Sequence, residues 1–359
     1  MPKKSGVDIN LGNTASRTAY KYAMETFVNR RGKQGEIATK TTGGFSNLLI
    51  FDKQRIGISS DGTGTKAELC ERTGIYNTLG YDLVAMVADD LAAAGFEPTN
   101  LSNIIDVDYL DKDIIEQMMK GLRDACNFAK IAITGGEIAE LGNRIGGYGD
   151  KMHFNWSATA IGVLPENMEK EIDGSDIDSG DLVIALKSRG FRSNGFSSIR
   201  RILQQNFGEN WHKVSYDNQM TWGKKILTPS LIYSPVITKI IQKNMIPKGI
   251  AHITGGGIFD NFHRVLKATN KGAILNNLFE PLPEMKKIKE LGKVTDQDAY
   301  LWWNMGNGML LVIDKKDEKN IIKEILKNGY ECRVAGTIID DNRISIETND
   351  VKLEKWYEL

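Results

Sequence analysis

The sequence has no excess of charge of either sign. Its 46 lysines and arginines stand against 46 aspartates and glutamates, so no bulk field favours nucleic acid or an anionic membrane. Local basic pairs such as Lys286-Lys287 and Lys315-Lys316 read as solvated faces. Cysteine is scarce: Cys70, Cys126 and Cys332 are odd in number, far apart and without C-x-x-C spacing. That excludes a disulfide framework, argues against a zinc site and fits a reducing cytosol. No stretch approaches the apolar length of a membrane span. The first residues, Met1 to Asp8, have no apolar run behind them and do not read as a secretory signal. Short-period repeats and low-complexity segments are also missing. What remains is the expectation of a soluble, cytoplasmic chain of 359 residues, long enough for about two domains with substantial cores.

The most informative stretch present is Ser59-Ser60-Asp61-Gly62-Thr63-Gly64-Thr65-Lys66. It follows a hairpin pattern, in which Leu48 to Phe51 and Ile56 to Ile58 are apolar and residues 52–55 form a polar turn. A short helix closed by Gly74 comes after it. The strand is thus expected to end in a loop with an acid first, two glycines inside and a lysine last. Glycines let the backbone approach a bulky anion, and exposed amides there bind phosphate. Lys66 supplies a mobile positive charge, and Asp61 would repel phosphate unless a divalent cation lay between them. The same residues would also serve a plain surface turn, in which glycine only supplies positive φ angles.

A second segment runs from Gly80 to Gly95 and is helical. Val84, Val87, Ala88 and Leu91 share one face, and Asp82, Met86, Asp89 and Asp90 cluster on another. Carboxylates on an otherwise apolar helix either face water or hold metal ions, because burial without counter-charge is expensive. An amphipathic helix follows over 111–129, with Ile114, Ile115, Met118, Leu122 and Cys126 inward. Ile131 to Thr134 reads as a buried strand ending in Gly135-Gly136-Glu137, which repeats the glycine-acid logic of Asp61. A long strand from His153 to Val163 closes the first half, and the boundary falls near Leu164-Pro165-Glu166.

The second half opens with the strand Leu182 to Leu186, the loop Lys187 to Gly195 and a helix from Phe196 to Asn206. Ile250 to Gly257 is a strand running into glycines, directly before a helix whose first amides suit an anion. His252 by itself reads as a hydrogen-bonded structural histidine. The apolar run Leu310 to Ile313, a helix over 317–328 and terminal strands complete the chain.

Taken in order, these loops resemble the AIR synthetase (phosphoribosylformylglycinamidine cyclo-ligase) family. The resemblance rests on Gly6-Val7-Asp8-Ile9, Gly43-Gly44-Phe45, Ser60 to Lys66, Asp82 to Met86 through Asp90-Leu91, and Gly135-Gly136-Glu137. Ser193-Asn194-Gly195, His252 to Gly257 and Asn304-Met305-Gly306 add to it. It implies a two-domain α+β subunit, with an N-terminal α/β domain (1–166) that binds ATP and gives strands to a barrel at a homodimer interface. A C-terminal α/β/α domain (167–359) would complete the cleft. The implied reaction is ATP-dependent closure of an imidazole ring on formylglycinamidine ribonucleotide. Nucleic acid and membrane are not among the implied partners.

Carried over by position, Asp61, Asp90 and Glu137 would bind Mg2+ on ATP. Gly43, Gly44, Phe45, Gly62, Thr63, Gly64, Thr65, Gly135 and Gly136 would surround the nucleotide with Thr254, Gly255 and Gly256, while Gly257 closes that loop. Lys66, Asn194 and His252 would act on the reacting groups, with Lys66 against the triphosphate. The chain departs from the family pattern at Arg192 (commonly histidine), Asp89 (asparagine), Ser102-Asn103, residues 140–143 and Leu301-Trp302-Trp303. The nucleotide loops keep the pattern, and the changed ones lie toward the ribonucleotide. Among relatives, no cysteine before Cys70 suits a selenophosphate synthetase, and the end Trp356-Tyr357-Glu358-Leu359 lacks the terminal cysteine of a hydrogenase-maturation protein. A thiamine-phosphate kinase-like enzyme and a non-catalytic nucleotide binder are the alternatives that remain.

Overall fold

The computed structural model describes residues 18, 21–38, 47–348 and 351–357. Gly6 to Ile9 and the Gly43-Gly44-Phe45 loop lie outside the described residues. Residues 21–26 are helical and a 3-10 turn, Phe27–Arg30, follows.

The first half forms a six-stranded sheet in the order β1-β2-β3-β6-β4-β5. Its strands are β1 (Glu36–Ile37), β2 (Asn47–Phe51), β3 (Gln54–Gly62), β4 (Glu97–Val107), β5 (Ala132–Glu140) and β6 (Phe154–Val163). All neighbours are antiparallel except β4 and β5. The β2–β3 turn is tighter than the sequence suggests: Phe51 pairs with Gln54, and Asp52 takes a left-handed φ of 51°. Helices α1 (Ala67–Thr73), α2 (Leu79–Ala93) and α3 (Lys112–Ala129) belong to this half, and α2 packs on β3, β4 and β6. Helix α3 begins where the Asp111 side chain accepts from the amides of Asp113 and Ile114, at 3.0 and 3.1 Å. It ends at Lys130, which has a φ of 62°. Helices α2 and α3 cross at a pair of glycines. A Cβ on Gly80 would lie 2.4 Å from the Leu122 nitrogen, and one on Gly121 would lie 2.1 Å from the Asn77 oxygen.

The other face of this sheet is open among the described residues. Alternation along the strands puts Leu101, Ile105, Trp156, Ala158 and Ala160 under the helices, while Ile104 is 47% and Ile161 38% exposed. Strand β5, whose start reads as buried in the sequence, is exposed along almost its whole length because it is the sheet's edge.

The second half forms a seven-stranded sheet, β13-β12-β9-β11-β7-β10-β8. The strands are β7 (Leu182–Lys187), β8 (Gly249–His252), β9 (Gly272–Leu275), β10 (Asn307–Ile313), β11 (Cys332–Ile339), β12 (Arg343–Glu347) and β13 (Lys352–Trp356). Helices α4 (Phe196–Phe207), α5 (Trp222–Ile226), α6 (Ser234–Gln242), α7 (Gly257–Leu266), α8 (Pro283–Leu291), α9 (Asp296–Trp302) and α10 (Glu318–Lys327) accompany it. Strand β10 is buried throughout, as a continuous apolar run between two layers should be. Val183 and Ala185 face a core shared with α4 and α7, and Ile184 and Leu186 face α6 and α10. Ala92 and Ala93 at the end of α2 join this second layer, and the larger cluster runs without a break from Leu48 to Ile346. The two sheets are therefore packed together, with α2 at their junction.

Candidate active site

Two of the three carboxylates of α2, Asp82 and Asp89, do not face water. Asp82 and Asp89 have side chains with 0% exposure, and each is matched by a cation and by donors from the second half. Asp82 Oδ1 lies 2.7 Å from Lys66 Nζ, 3.1 Å from the Ser230 nitrogen and 2.5 Å from Ser230 Oγ. Asp89 Oδ1 accepts from the amides of Tyr233 and Ser234 at 2.7 and 2.8 Å, which caps the start of α6. Its Oδ2 lies 2.9 Å from Arg192 Nη2. Burial pushes the Asp82 carboxyl up and the Lys66 ammonium down, while their attraction opposes both shifts and the Ser230 donors oppose that of Asp82.

Lys66 therefore does not supply the mobile cation that the sequence suggests. Its side chain is fully buried, and Nζ donates to the Thr228 carbonyl at 2.9 Å as well as to Asp82. An ammonium fixed on these two acceptors lies in the wall between the sheets. The rest of the stretch is also less loop-like than expected. Strand β3 runs through Asp61 and Gly62, and only Gly64, at φ 54°, needs the left-handed region. Thr63 is buried with its amide on the Trp156 carbonyl at 2.9 Å, while Gly64 and Thr65 are exposed.

Asp61 and Asp90 are the acids without a full counter-charge. Burial pushes Asp61 up to about 6 against the Gly62 amide, and the neighbouring Asp90 charge adds to the rise. Burial pushes Asp90 up to about 7 against Arg264, Arg192 and the Ser59 hydroxyl. Ser59 and Asp61 share the helix-covered face of β3, which brings Asp61 toward Asp90 on α2.

Glu137 does not join them. It pairs with Ile104 on the open face, whereas Asp61 aligns through Ala158 with Asn103 on the covered face. Two strands, β6 and β4, also stand between β3 and β5, a lateral separation of roughly 14 Å. Among the described residues, no three histidine, cysteine, aspartate or glutamate side chains converge as a cation site. The expected triad is thus reduced to two acids within one subunit. Gly135 and Gly136 have a pairing role: a Cβ on Gly136 would lie 2.8 Å from Asn103 Nδ2, and one on Gly135 would lie 3.0 Å from Ser102 Oγ.

From the second sheet, His252 reaches Asp90, with Nδ1 2.7 Å from Oδ1. Its Nε2 lies 2.6 Å from Arg192 Nη2. Burial and the guanidinium push the ring down to about 3, so it is neutral. Both nitrogens are in use, and His252 has none left to act as a base. Past it, Thr254, Gly255, Gly256 and Gly257 turn into α7. Gly256 has φ 92°, and a Cβ on Gly257 would meet the Tyr300 carbonyl at 1.8 Å. Asn261, which the sequence reading did not single out, braces this turn by donating to the carbonyls of Gly255 and Gly257 at 3.1 and 2.7 Å. Its position one turn into the helix that follows the glycines was the available signal. Asn194 lies against the same turn. Its Oδ1 is 3.3 Å from a Cβ on Gly255, and its Nδ2 is buried without a partner, as is Ser193 Oγ.

The fold defined by these two packed sheets is shared with solved structures of other proteins. The solved AaThiL complex with AMPPCP and TMP matches 99% of this chain and 98% of its own at a TM-score of 0.64, with 14% identity. Sequence narrows the class. Residues 46–164 match the N-terminal domain, and residues 178–349 the C-terminal domain, of the AIR synthase related proteins. A phosphoribosylformylglycinamidine cyclo-ligase of Carboxydothermus hydrogenoformans is 34% identical over 95% of this chain and 96% of its own length. One from Methanocaldococcus jannaschii is 30% identical over 98% and 94%. The chain belongs to the AIR synthase related family.

Proposed function

We propose that the chain closes the imidazole ring of 5-aminoimidazole ribonucleotide from formylglycinamidine ribonucleotide, at the expense of ATP, as a C–N bond-forming ligase of purine biosynthesis. The end-to-end likeness to cyclo-ligases supports the substrate. The observation that carries the site is the meeting of Asp61 and Asp90, raised by burial, with the Asn194 amide and the 254–257 turn across His252.

In the proposed reaction the γ-phosphoryl group passes to the formyl amide oxygen, an amidine nitrogen attacks that carbon, and phosphate leaves with the oxygen. Amide oxygen is a poor leaving group and phosphate a good one, so the protein's work is alignment and charge neutralisation. Two hard carboxylate oxygens suit Mg2+, which takes one or two protein carboxylates and keeps several waters. Asp61 and Asp90 fit that role, and the cation would supply neutralisation of phosphate charge there. The amides at the start of α7 suit an anion. Asn194 Nδ2, a buried donor in want of an acceptor, suits an oxygen of the ribonucleotide or of the phosphate. Lys66 and His252 support these groups and do not react.

The open face of the first sheet suits a second copy of the chain. Ile104, Ile161 and Val163, which alternation places on that face, are each between 37% and 47% exposed. Glu137 stands on that face as well. Among the described residues, no helix is long and apolar enough to cross a membrane.

The deciding assay is ADP release by the purified protein with formylglycinamidine ribonucleotide and, in parallel, with thiamine phosphate. Stimulation by the ribonucleotide alone is expected. Stimulation by thiamine phosphate alone, or by neither, would refute the assignment.

A further inference from the structure

Where α2 ends, four side chains stand in series: Asp89, Arg192, His252 and Asp90. Arg192 Nη2 lies 2.9 Å from Asp89 Oδ2 and 2.6 Å from His252 Nε2, and His252 Nδ1 lies 2.7 Å from Asp90 Oδ1. The first three side chains are at most 1% exposed, so water does not compete for these bonds. A guanidinium has donors and no acceptor. The imidazole nitrogen that Arg192 touches therefore accepts a bond and carries no proton. The ring proton sits on Nδ1 and is donated to Asp90.

Arg192 is held in place from several sides. Its Nη1 donates to the Leu231 carbonyl at 2.9 Å, its guanidinium carbon lies 5.0 Å from the centre of the Tyr233 ring, and its backbone has a left-handed φ of 61°. Asp89 is itself tied to the start of α6. A lysine here would be a single point donor, unable to present a planar fork to Asp89, His252 and Leu231 together.

We propose that Arg192 is a positioning residue for Asp90: by donating to His252 Nε2 it fixes the Nδ1-protonated tautomer, and the ring N–H in turn pins Asp90 Oδ1 beside Ser59 and Asp61. The effect on Asp90 rests on the reading of that residue as a cation-binding acid, while the tautomer does not. Losing a hydrogen bond to a metal-binding side chain, such as that of His252 to Asp90, typically changes metal affinity by about ten- to a hundredfold. If Arg192 served only to neutralise Asp89, neither the tautomer nor the magnesium dependence would follow it.

Nitrogen-15 spectra of histidine-labelled protein test this without nucleotide or metal. The chain has four histidines, and His252→Gln assigns the signal. The unmodified protein is expected to show a protonated Nδ1 and a bare Nε2, and a protonated Nε2 or a charged ring at neutral pH would overturn the proposal. The pair variant Asp89→Asn/Arg192→Met strands no charge. It is expected to fold, to lose the fixed tautomer, and to need about tenfold more magnesium for half-maximal ATP binding, with little change in kcat. An unchanged tautomer, or an altered tautomer with unchanged magnesium dependence, would leave Arg192 as a mere partner of Asp89 and overturn it. Should the unmodified protein bind no magnesium-ATP, the proposed function fails by that result, and the spectra still decide the tautomer.

Discussion

Asp82 and Asp89 lie seven residues apart on one face of α2 and hold the same segment, residues 228–234, from two points. Asp82 accepts from Ser230 and Asp89 from Tyr233 and Ser234. Residues at that spacing sit two turns apart in line, so one rigid helix fixes both ends of a connecting segment in the other half of the molecule. The acids that a helical wheel assigns to water or metal are thus fasteners between the two sheets.

The Lys66–Asp82 pair lends itself to a double-mutant cycle. Lys66→Met leaves a buried carboxylate unpaired and should destabilise the protein by about 3–5 kcal/mol. Lys66→Met/Asp82→Asn should recover most of that loss, as read from urea denaturation. Equal losses in the single and double variants would mean that the pair is not coupled.

Asp61 should link stability and magnesium binding to pH. Its folded carboxyl is raised from 3.8 to about 6 and that of Asp90 to about 7, so the metal-free folded state holds protons that the unfolded chain releases. Metal-free stability should therefore fall as pH rises from about 4 to 7 through these groups. Asp61→Asn should gain melting temperature at pH 8, on the order of 2 °C, and lose that gain near pH 4. A cation must displace the same protons, so magnesium-ATP should bind more tightly as pH rises from 6 to 8, with proton release visible by calorimetry in two buffers. The variant should bind it about tenfold or more weakly and release no ADP. Full turnover in Asp61→Asn would remove this residue from the site.

The glycine crossing of α2 and α3 should not tolerate a methyl group. Gly121→Ala places a Cβ 2.1 Å from a backbone carbonyl, and backbone cannot rotate away as a side chain can. A loss of about 1–3 kcal/mol or more is expected. A melting temperature within a degree of the parent would show that the helices part freely.

Self-association through the open sheet face is tested by Ile161→Lys. Ile161 is 38% exposed on that face. The change should give a monomer by light scattering with little change in melting temperature. A dimer that survives it would place the contact elsewhere.

Much of the fold was legible in the sequence. Leu182 to Leu186 and Leu310 to Ile313 are uninterrupted apolar runs and became strands buried on both faces, and the 111–129 periodicity became α3 with Ile114, Met118, Leu122 and Cys126 buried and Ile115 half-buried. Strand β5 was misread as buried because a short apolar run looks the same in a central strand as at an edge. Strand order decides between them, and that is set by pairings far along the chain. The site was harder for the same reason. Ser230, which donates to Asp82, and Arg192, which pairs with Asp89, lie 148 and 103 residues away, and no local spacing reports them. Asp89 and Arg192 each read as an isolated departure from the family pattern, and only the fold shows that they are in contact.

The fastening of α2 also bears on how a ligand comes and goes. Swinging the two sheets apart would part Asp89 from Arg192 and strip the Asp82–Lys66 pair of Ser230 and Thr228, leaving poorly matched ions in an apolar seam. A ligand is therefore expected to come and go without the two sheets parting, while the body of the subunit stays shut.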